Sequence, residues 1–319
     1  MVDKTSLNVR SPVLLIAFNR PRTTAQVFEA IRNARPTRLY VAVDGPRPDR
    51  PHEAEICQQV QQITSQVDWP CTLTTLFRTT NLGCRTGVSS AIDWFFEHEP
   101  EGIILEDDCL PHPDFFRYCD DLLERYRNDT RIMTIGGSNF LPESRLPSSS
   151  YYYAPYFQVW GWASWRRAWS LYDVTMQRYR NSDKNQLLKK IFGRNIEART
   201  YWRRIFDSVA VGKVDTWDYQ WFLDCLINEG LTCLPCKNLI SNIGFNEDAT
   251  HTNDVTSVFS ELRTESISFP LVAPPRVACD PEIISEMERT RFGFTGKASL
   301  KDLERFTKTR IRELLGIKK

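Results

Sequence analysis

The stretch Gly102-Ile-Ile-Leu-Glu-Asp-Asp-Cys109 decides the fold class of this chain. Its short, continuously apolar part is typical of a buried strand, and it ends abruptly in three carboxylates. Adjacent acids repel one another and lose hydration when they are buried, so they need a compensating cation. Clustered carboxylate oxygens suit Mn²⁺ or Mg²⁺. The stretch therefore predicts a metal site at the carboxyl end of a strand, where open α/β sheets bind their ligands. The alternative is a solvated acidic turn.

The composition indicates a globular chain with a substantial core. Of its 319 residues, 41% are hydrophobic and 25% are charged, which suits one large domain or two ordinary ones. The formal net charge of +1 gives no attraction toward nucleic acid. The single CxxC pair, Cys233 and Cys236, lacks a thioredoxin-like context, so we interpret it as structural. Because the chain shows neither a signal-peptide pattern nor an apolar run long enough to cross a bilayer, we expect it to be cytoplasmic.

Strand-like and helical segments alternate in the first third of the chain. Short runs of strand-forming residues predict strands at 12–18, 39–43, 72–77 and 102–105. Helical spacing predicts helices at 23–33, with Thr23 or Thr24 as the N-cap, at 53–66 and at 88–97. This alternation is typical of a parallel sheet with crossover helices, that is, an α/β fold.

The regular alternation of strand-like and helical segments ends after residue 109. Helices are predicted at 113–127 and 184–211, and a further helix is opened by Asp215-Thr-Trp-Asp218. The segment 151–169 is dense in aromatic rings, most of which we expect in the core. The end of the chain, 299–317, has the spacing of an amphipathic helix. From Lys297 onward it carries eight Lys or Arg against three Asp or Glu, which suits an anionic membrane. The alternative is that its apolar stripe docks on the preceding domain.

Several short motifs occur in an order that is more specific than any one of them. They are Pro12-Val-Leu-Leu-Ile-Ala-Phe-Asn-Arg-Pro21, Val41-Ala-Val-Asp-Gly45, Glu106-Asp-Asp108, Pro113-Asp-Phe-Phe116, Gly161-Trp162 and Trp217-Asp-Tyr-Gln-Trp221. Taken together they resemble the GT-A nucleotide-sugar glycosyltransferases, in particular the N-acetylglucosaminyltransferase I type and its bacterial relatives. The resemblance implies a GT-A fold, a Rossmann-like, mostly parallel sheet flanked by helices. It places the catalytic domain at 11–255 and a C-terminal helical extension at 256–319.

The resemblance also implies roles for individual residues. Asp108 would ligate Mn²⁺ or Mg²⁺ against the donor diphosphate, while Glu106 and Asp107 would contact the ribose and the donor sugar. Asp44 would hydrogen-bond the uracil ring, with Arg20 nearby on the nucleotide. For Asp44 the alternative is an ordinary turn residue, and for Arg20 it is a surface charge.

Other candidates depend more on local pattern. Asn81 and Arg85 flank a glycine-containing loop before a helix, which suits a diphosphate or ribose contact as well as a plain helix cap. Trp162 offers a stacking face for a sugar. His251 is a candidate second metal ligand, with a structural role as the alternative.

Asp218 is the candidate catalytic base, and Asp215 is its rival both as base and as helix cap. Together these residues predict an inverting transferase that moves a sugar, first N-acetylglucosamine, from a UDP-sugar to a saccharide or lipid-linked acceptor. The alternatives are a sugar-nucleotide nucleotidyltransferase, for which the loop after the first strand lacks the usual glycines, and a non-catalytic carbohydrate-binding protein.

Overall fold

The computed structural model describes residues 9–244 and 262–296. Its strands are β1 (Val13–Ala17), β2 (Arg38–Val43), β3 (Thr72–Phe77), β4 (Glu101–Glu106), β5 (Cys109–Pro111), β6 (Ile132–Gly136), β7 (Tyr151–Ala154), β8 (Trp162–Trp165), β9 (Leu231–Pro235) and β10 (Ile240–Asn242). Its α-helices are α1 (Pro21–Ala34), α2 (Glu53–Thr64), α3 (Gly83–His98), α4 (Pro113–Tyr126), α5 (Arg166–Trp169), α6 (Gln177–Arg180), α7 (Lys184–Phe192), α8 (Ile196–Ala210), α9 (Asp218–Ile227) and α10 (Pro281–Phe292). A 3₁₀ turn spans Glu143–Arg145.

Eight of the strands form one sheet in the order β3-β2-β1-β4-β8-β6-β9-β7. The half built from the first four strands is parallel, as βαβ crossovers require. In the other half, β6 and β9 are parallel, whereas β8 and β7 run antiparallel to their neighbours. A separate antiparallel ribbon pairs β5 with β10. The predicted α/β class, with a mostly parallel sheet flanked by helices, is confirmed.

The sheet separates two apolar layers because successive side chains of a strand point to opposite faces. On β1, Leu14 and Ile16 face one layer, and Val13 and Leu15 face the other. Helix α3 packs on the first face, and α1 and α4 pack on the second. Helices therefore cover both faces, and the strand ends and the loops that follow them stay accessible at the sheet's edges.

The described segments after residue 261 also pack on these layers. Ile283 and Met287 of α10 are buried in the first layer, and Ile267 and Leu271 are buried in the second. The predicted basic helix at 299–317 and His251 lie outside the described residues. In the described ranges, no helix is both long and apolar enough to span a membrane.

Several predicted helix boundaries were wrong, and each error has a local cause. Helix α1 begins at Pro21, not after Thr23, because proline suits the first helical position. Helix α3 begins at Gly83, five residues early, so most of the predicted 81–85 loop is helical. The predicted helical region 184–211 consists of two helices, because the chain turns at Gly193 and the Asn195 side chain caps α8.

Candidate active site

The acidic triplet lies at a topological switch point of the sheet. Strand β1 pairs in parallel with β2 on one side and with β4 on the other. The connection after β1 therefore leads to one side of it, whereas the strand that follows β3 is added on the opposite side. Such a reversal opens a crevice at the carboxyl ends of the strands, which is where α/β sheets bind ligands. The segments 18–20, 44–45 and 106–108 leave the sheet beside this switch point.

Arg20 is the cation that balances two acids of the triplet. Its Nη2 donates to Oδ1 of Asp107, and its Nη1 donates to Oδ2 of Asp108 at 2.7 Å. The backbone N–H of Phe18 donates to the second oxygen of Asp107 at 3.2 Å. Asp107 is 2% exposed, and burial opposes the charge of Arg20, but the adjacent carboxylates outweigh burial and raise the arginine's pKa. The compensating cation predicted from the triplet is thus supplied, in part, by the protein itself.

Glu106 leaves this site with an excess of negative charge. Among the described residues, its half-buried carboxylate has no hydrogen-bond or ion-pair partner. Burial, and then the charges of Asp108 and Asp107, raise its pKa to about 8. The pKa of Asp107 is raised as well, chiefly by burial. One guanidinium therefore does not neutralise the triplet, and the site attracts a further cation.

The donor set fits a divalent ion that takes most of its ligands from a substrate. In the described ranges, no group of three or more His, Cys, Asp or Glu side chains is arranged to hold a metal by itself. Asp108 is 13% exposed at the mouth of the crevice, and carboxylate oxygen suits Mg²⁺ or Mn²⁺. Mg²⁺ is commonly held by one or two carboxylates together with substrate phosphates and water. The described residues therefore suit a metal that is held jointly by protein and substrate, and they do not suit one held by protein ligands alone.

The backbone after β10 closes over Asp108. The N–H of Ile243 donates to the backbone oxygen of Asp108 at 2.8 Å. A Cβ on Gly244 would lie 2.4 Å from Oδ2 of Asp108, so only glycine allows this close approach. No local pattern marks this contact, because 136 positions of the chain separate the two residues and the β5–β10 ribbon brings them together.

Asp44 and Asn81 form a connection between β2 and α3. Both oxygens of Asp44 accept from the N–H of Leu82, and Oδ2 also accepts from Nδ2 of Asn81 at 3.0 Å. The same Asn81 amide donates to the oxygen of Gly45, and its Oδ1 accepts from the N–H of Gly83. Burial raises the pKa of Asp44 despite these donors. Asp44 and Asn81, the two residues predicted to contact the nucleotide, are thus hydrogen-bonded to each other, and they hold the loop that borders the crevice.

Arg85 connects the start of α3 to the loop before α9. Its Nη2 donates to the oxygen of Val214 at 2.7 Å, and its Nε donates to that of Thr216 at 3.3 Å. Asp215 accepts from the N–H groups of Cys84 and Arg85 at 3.0 and 3.4 Å. Asp215 therefore caps the N-terminus of α3 from a distant part of the chain, and it does not cap α9 as its position in sequence suggests.

Asp218 stands in the first turn of α9 and is half-buried. Its Oδ1 accepts a hydrogen bond from the hydroxyl of Thr216. Its negative charge contributes to the raised pKa values of Glu106 and of the Cys84 thiol, so it acts across the same crevice as the triplet. The fold gives the two rivals different surroundings: Asp215 is 61% exposed and holds a helix end, whereas the charge of the half-buried Asp218 acts on Glu106.

Trp162 does not offer a stacking face for a sugar, and this prediction is wrong. Its side chain is 1% exposed. Trp217 stacks on it at 5.7 Å between ring centroids, and Phe157 contacts it edge-on at 5.1 Å. The sequence could not distinguish this ring from Trp160, which is only half-buried and packs on Phe140.

Two further groups of this region were missed by the sequence reasoning. Cys84 lies among charged groups of the site, and burial, followed by the charges of Glu106 and Asp218, raises the pKa of its thiol. Arg291, on α10, is acted on by the charge of Asp218. No motif marks either residue, because each reaches the site through packing of elements that are remote in sequence.

Comparison with known proteins gives little beyond this geometry. No protein-family model matches the sequence. No curated protein matches it either. Similar solved structures include UDP-glucose pyrophosphorylase complexed with UDP-glucose, at a TM-score of 0.30 and 8% identity over 51% of this chain and 78% of that one. Mouse xyloside xylosyltransferase 1 in its apo form has a TM-score of 0.32 and 10% identity over 68% of this chain and 81% of that one. Likeness at this level carries no argument about substrate, so the chemistry rests on the side chains described above.

Proposed function

We propose that this chain is a metal-dependent, inverting GT-A glycosyltransferase that uses a UDP-sugar, first UDP-N-acetylglucosamine. The observation that supports it best is the meeting of Glu106, Asp107 and Asp108 with Arg20 at the switch point, with Asp218 acting across the same crevice. Acidic groups in excess at a site that also holds a guanidinium suit a diphosphate that arrives with a divalent cation. The likeness to the N-acetylglucosaminyltransferase I type remains a prediction.

In this proposal the donor side of the crevice binds and neutralises the diphosphate. Asp108, with His251 as a candidate from outside the described residues, would hold Mn²⁺ or Mg²⁺. When bound, the metal would supply positive charge to the departing diphosphate. Arg20 is placed to exchange part of its contact with Asp108 for a phosphate oxygen, because guanidinium binds phosphate and carboxylate with the same geometry. Glu106 and Asp107 would contact the donor sugar and the ribose.

The nucleotide would lie against the loop that Asp44 and Asn81 hold. Asp44 would accept from the uracil N–H. Since the amide of Asn81 is already bonded on both sides, we propose that it acts by fixing this loop. Arg85 would act in the same indirect way, through the segment that carries Asp218.

Asp218 would take the proton of the acceptor hydroxyl as the new bond forms. One base beside the acceptor implies a single displacement at the anomeric carbon, and hence inversion. The hydrogen bond from Thr216 orients the carboxylate. The acceptor would be a saccharide or a glycolipid of a surface-polysaccharide pathway. The basic segment 297–319 would bring the protein to the cytoplasmic face of an anionic membrane, unless it docks on the catalytic domain.

Calorimetric titration of UDP tests the donor site. We expect UDP to bind more tightly with Mn²⁺ than with EDTA, because Asp108 and the diphosphate share the ion. Asp108→Ala should remove this gain, whereas Asp114→Ala, an acid of the α4 terminus that is hydrogen-bonded to Ser266, should keep it. Equal UDP affinity with Mn²⁺ and with EDTA in the unmodified protein would refute the metal-dependent donor site.

A second assay separates transfer from nucleotidyl exchange. A transferase releases UDP from its donor, whereas a nucleotidyltransferase forms UTP from the same donor and pyrophosphate. Formation of UTP at a rate above that of UDP release would favour the alternative function.

A further inference from the structure

Arg291 reaches from the last turn of α10 back into the catalytic region. Its Nη1 donates to Oε1 of Gln158. Its guanidinium lies over the ring of Phe140, 4.5 Å from the centroid, and 5.7 Å from that of Phe292. The side chain is half-buried. An arginine is thus held at a fixed place on an aromatic surface, with most of its N–H groups still available.

Several arginines of the chain pair with carboxylates, and the guanidinium of Arg291 differs from them. Arg20 pairs with Asp107 and Asp108, and Arg178 pairs with Asp224 at 2.6 Å. Within the described ranges, no carboxylate lies at ion-pair distance from Arg291. Burial lowers its pKa to about 10, against the weaker effects of nearby tyrosines and Asp218. A buried cation without an anion is costly, so a ligand that supplies one should be favoured there.

Gln158 adds a second unsatisfied donor at the same place. It is 1% exposed, and its Nε2 is buried without a hydrogen-bond partner among the described residues. A guanidinium has five N–H groups, of which Nη1 alone bonds a described residue here. Arg291 and its hydrogen-bond partner Gln158 therefore both carry N–H groups without an acceptor among the described residues, and an oxyanion would supply one.

Asp218 indicates which substrate this region faces. The charges that act on Glu106 are those of Asp108, Asp107, Arg20 and Asp218. Those that act on Arg291 come from Tyr219, Tyr201, Tyr152 and Asp218. Asp218 is common to the two sets, so the charge of the candidate base reaches both the acidic site and Arg291. Since the base acts on the acceptor hydroxyl in the proposed function, we assign Arg291 to the acceptor.

We propose that Arg291 and Gln158 form an acceptor subsite that recognises an anionic group, a carboxylate or a phosphate carried by the acceptor saccharide. This inference rests on the proposed function in taking Asp218 as the base. The aromatic rings around the guanidinium would pack on the sugar, and the fork of N–H groups would take two oxygens of the anion.

Ligand-observed NMR with three simple sugars tests the subsite, using UDP-saturated protein so that the donor's phosphate site is filled. The probes are glucuronic acid, glucose 1-phosphate and neutral glucose. We expect at least one anionic sugar to bind more tightly than glucose, and Arg291→Gln to weaken its binding by about tenfold or more. Two anionic probes distinguish a carboxylate from a phosphate. Arg289→Gln, on the same helix but 63% exposed and paired with Glu286, is the matched control and should bind as the unmodified protein does.

Gln158→Glu keeps the test decisive if Arg291→Gln fails to fold. The new carboxylate would pair with Arg291 from within the protein, so the fold should melt no lower while the preference for the anionic sugar disappears. An unmodified protein that binds glucose as well as both anions, or an anion preference unchanged by Gln158→Glu, would overturn the subsite. Failure of UDP to bind, seen in the same samples, would instead count against the proposed function.

Discussion

Two aspartates three positions apart show how partners, not sequence position, assign roles in this protein. Asp215 and Asp218 open the same segment, and each is a plausible cap or base from the sequence. Asp215 accepts two backbone N–H groups at the start of α3, which explains why an exposed carboxylate is held in place. Asp218 accepts from Thr216 and acts on Glu106 across the crevice. The chemical role therefore belongs to Asp218 in our proposal.

Asp218→Asn should abolish most turnover without affecting the donor site. The amide keeps the shape and the bond from Thr216 but cannot take a proton, so we expect UDP release from the donor to slow by about a hundredfold or more. The UDP affinity of the variant, measured by calorimetry, should equal that of the unmodified protein. NMR of the product that the unmodified protein forms from an α-linked donor should show a β linkage. An active Asp218→Asn protein beside an inactive Asp215→Asn protein would mean that the base was assigned to the wrong acid.

At the scale of elements, the start of α3 and the loop before α9 hold each other. Arg85 donates from α3 to two carbonyl oxygens of the loop, and Asp215 of the loop accepts from N–H groups of α3. The helix terminus has unsatisfied donors and the loop has unsatisfied acceptors, so each satisfies the other. A Cβ on Gly83 would lie 2.9 Å from Oδ2 of Asp215, which shows how closely the two meet.

Asp215→Ala should therefore weaken the fold more than the chemistry. Removing a side-chain cap costs about 1 kcal/mol, and we expect a loss of that order in the free energy of unfolding by urea. Asp215→Asn should recover part of it, because an amide oxygen also caps. UDP affinity should change little in either variant. A stability equal to that of the unmodified protein would show that the N–H groups of Cys84 and Arg85 do not depend on this carboxylate.

At the scale of the whole molecule, the acidic site makes stability depend on pH. Burial and like charges raise the pKa of Glu106 from an ordinary 4.5 to about 8, so the folded protein holds this proton more tightly than the unfolded chain. The unfolded chain gives up its proton first as pH rises, and the free energy of unfolding falls between these two values. Above the upper value both states have lost the proton and the dependence ends.

Urea denaturation at several pH values from 5 to about 8 checks this linkage. Glu106→Gln cannot ionise, so its stability should decline less with pH than that of the unmodified protein. Glu124→Gln, a 58% exposed surface acid, is the control and should show the unmodified slope. Mn²⁺ should stabilise the unmodified protein more at the alkaline end, because the ion and protons compete for the same oxygens. Identical slopes for Glu106→Gln and the unmodified protein would contradict the raised pKa.

The sequence by itself determined the α/β class and the location of the acidic site. The alternation of strand-like runs with helical spacing predicted β1 to β4 and their crossover helices. Strand β3 mixes threonine with apolar residues, whereas burial on both faces of the sheet leaves a nearly continuous apolar run in β1, β2 and β4. The triplet was visible because carboxylates directly after such a strand must lie at its carboxyl end. Both signals are local, which is why one sequence suffices to find them.

Only the tertiary structure decided which side chains meet. It made Arg20 the partner of Asp107 and Asp108, made Asp215 the cap of a helix 130 positions earlier, and buried Trp162 among core rings. It also brought Arg291 from the C-terminal region to the neighbourhood of Asp218. Apolar spacing records which face of an element is buried but not what buries it. Long-range partners are set by how layers pack, and no local pattern carries that information.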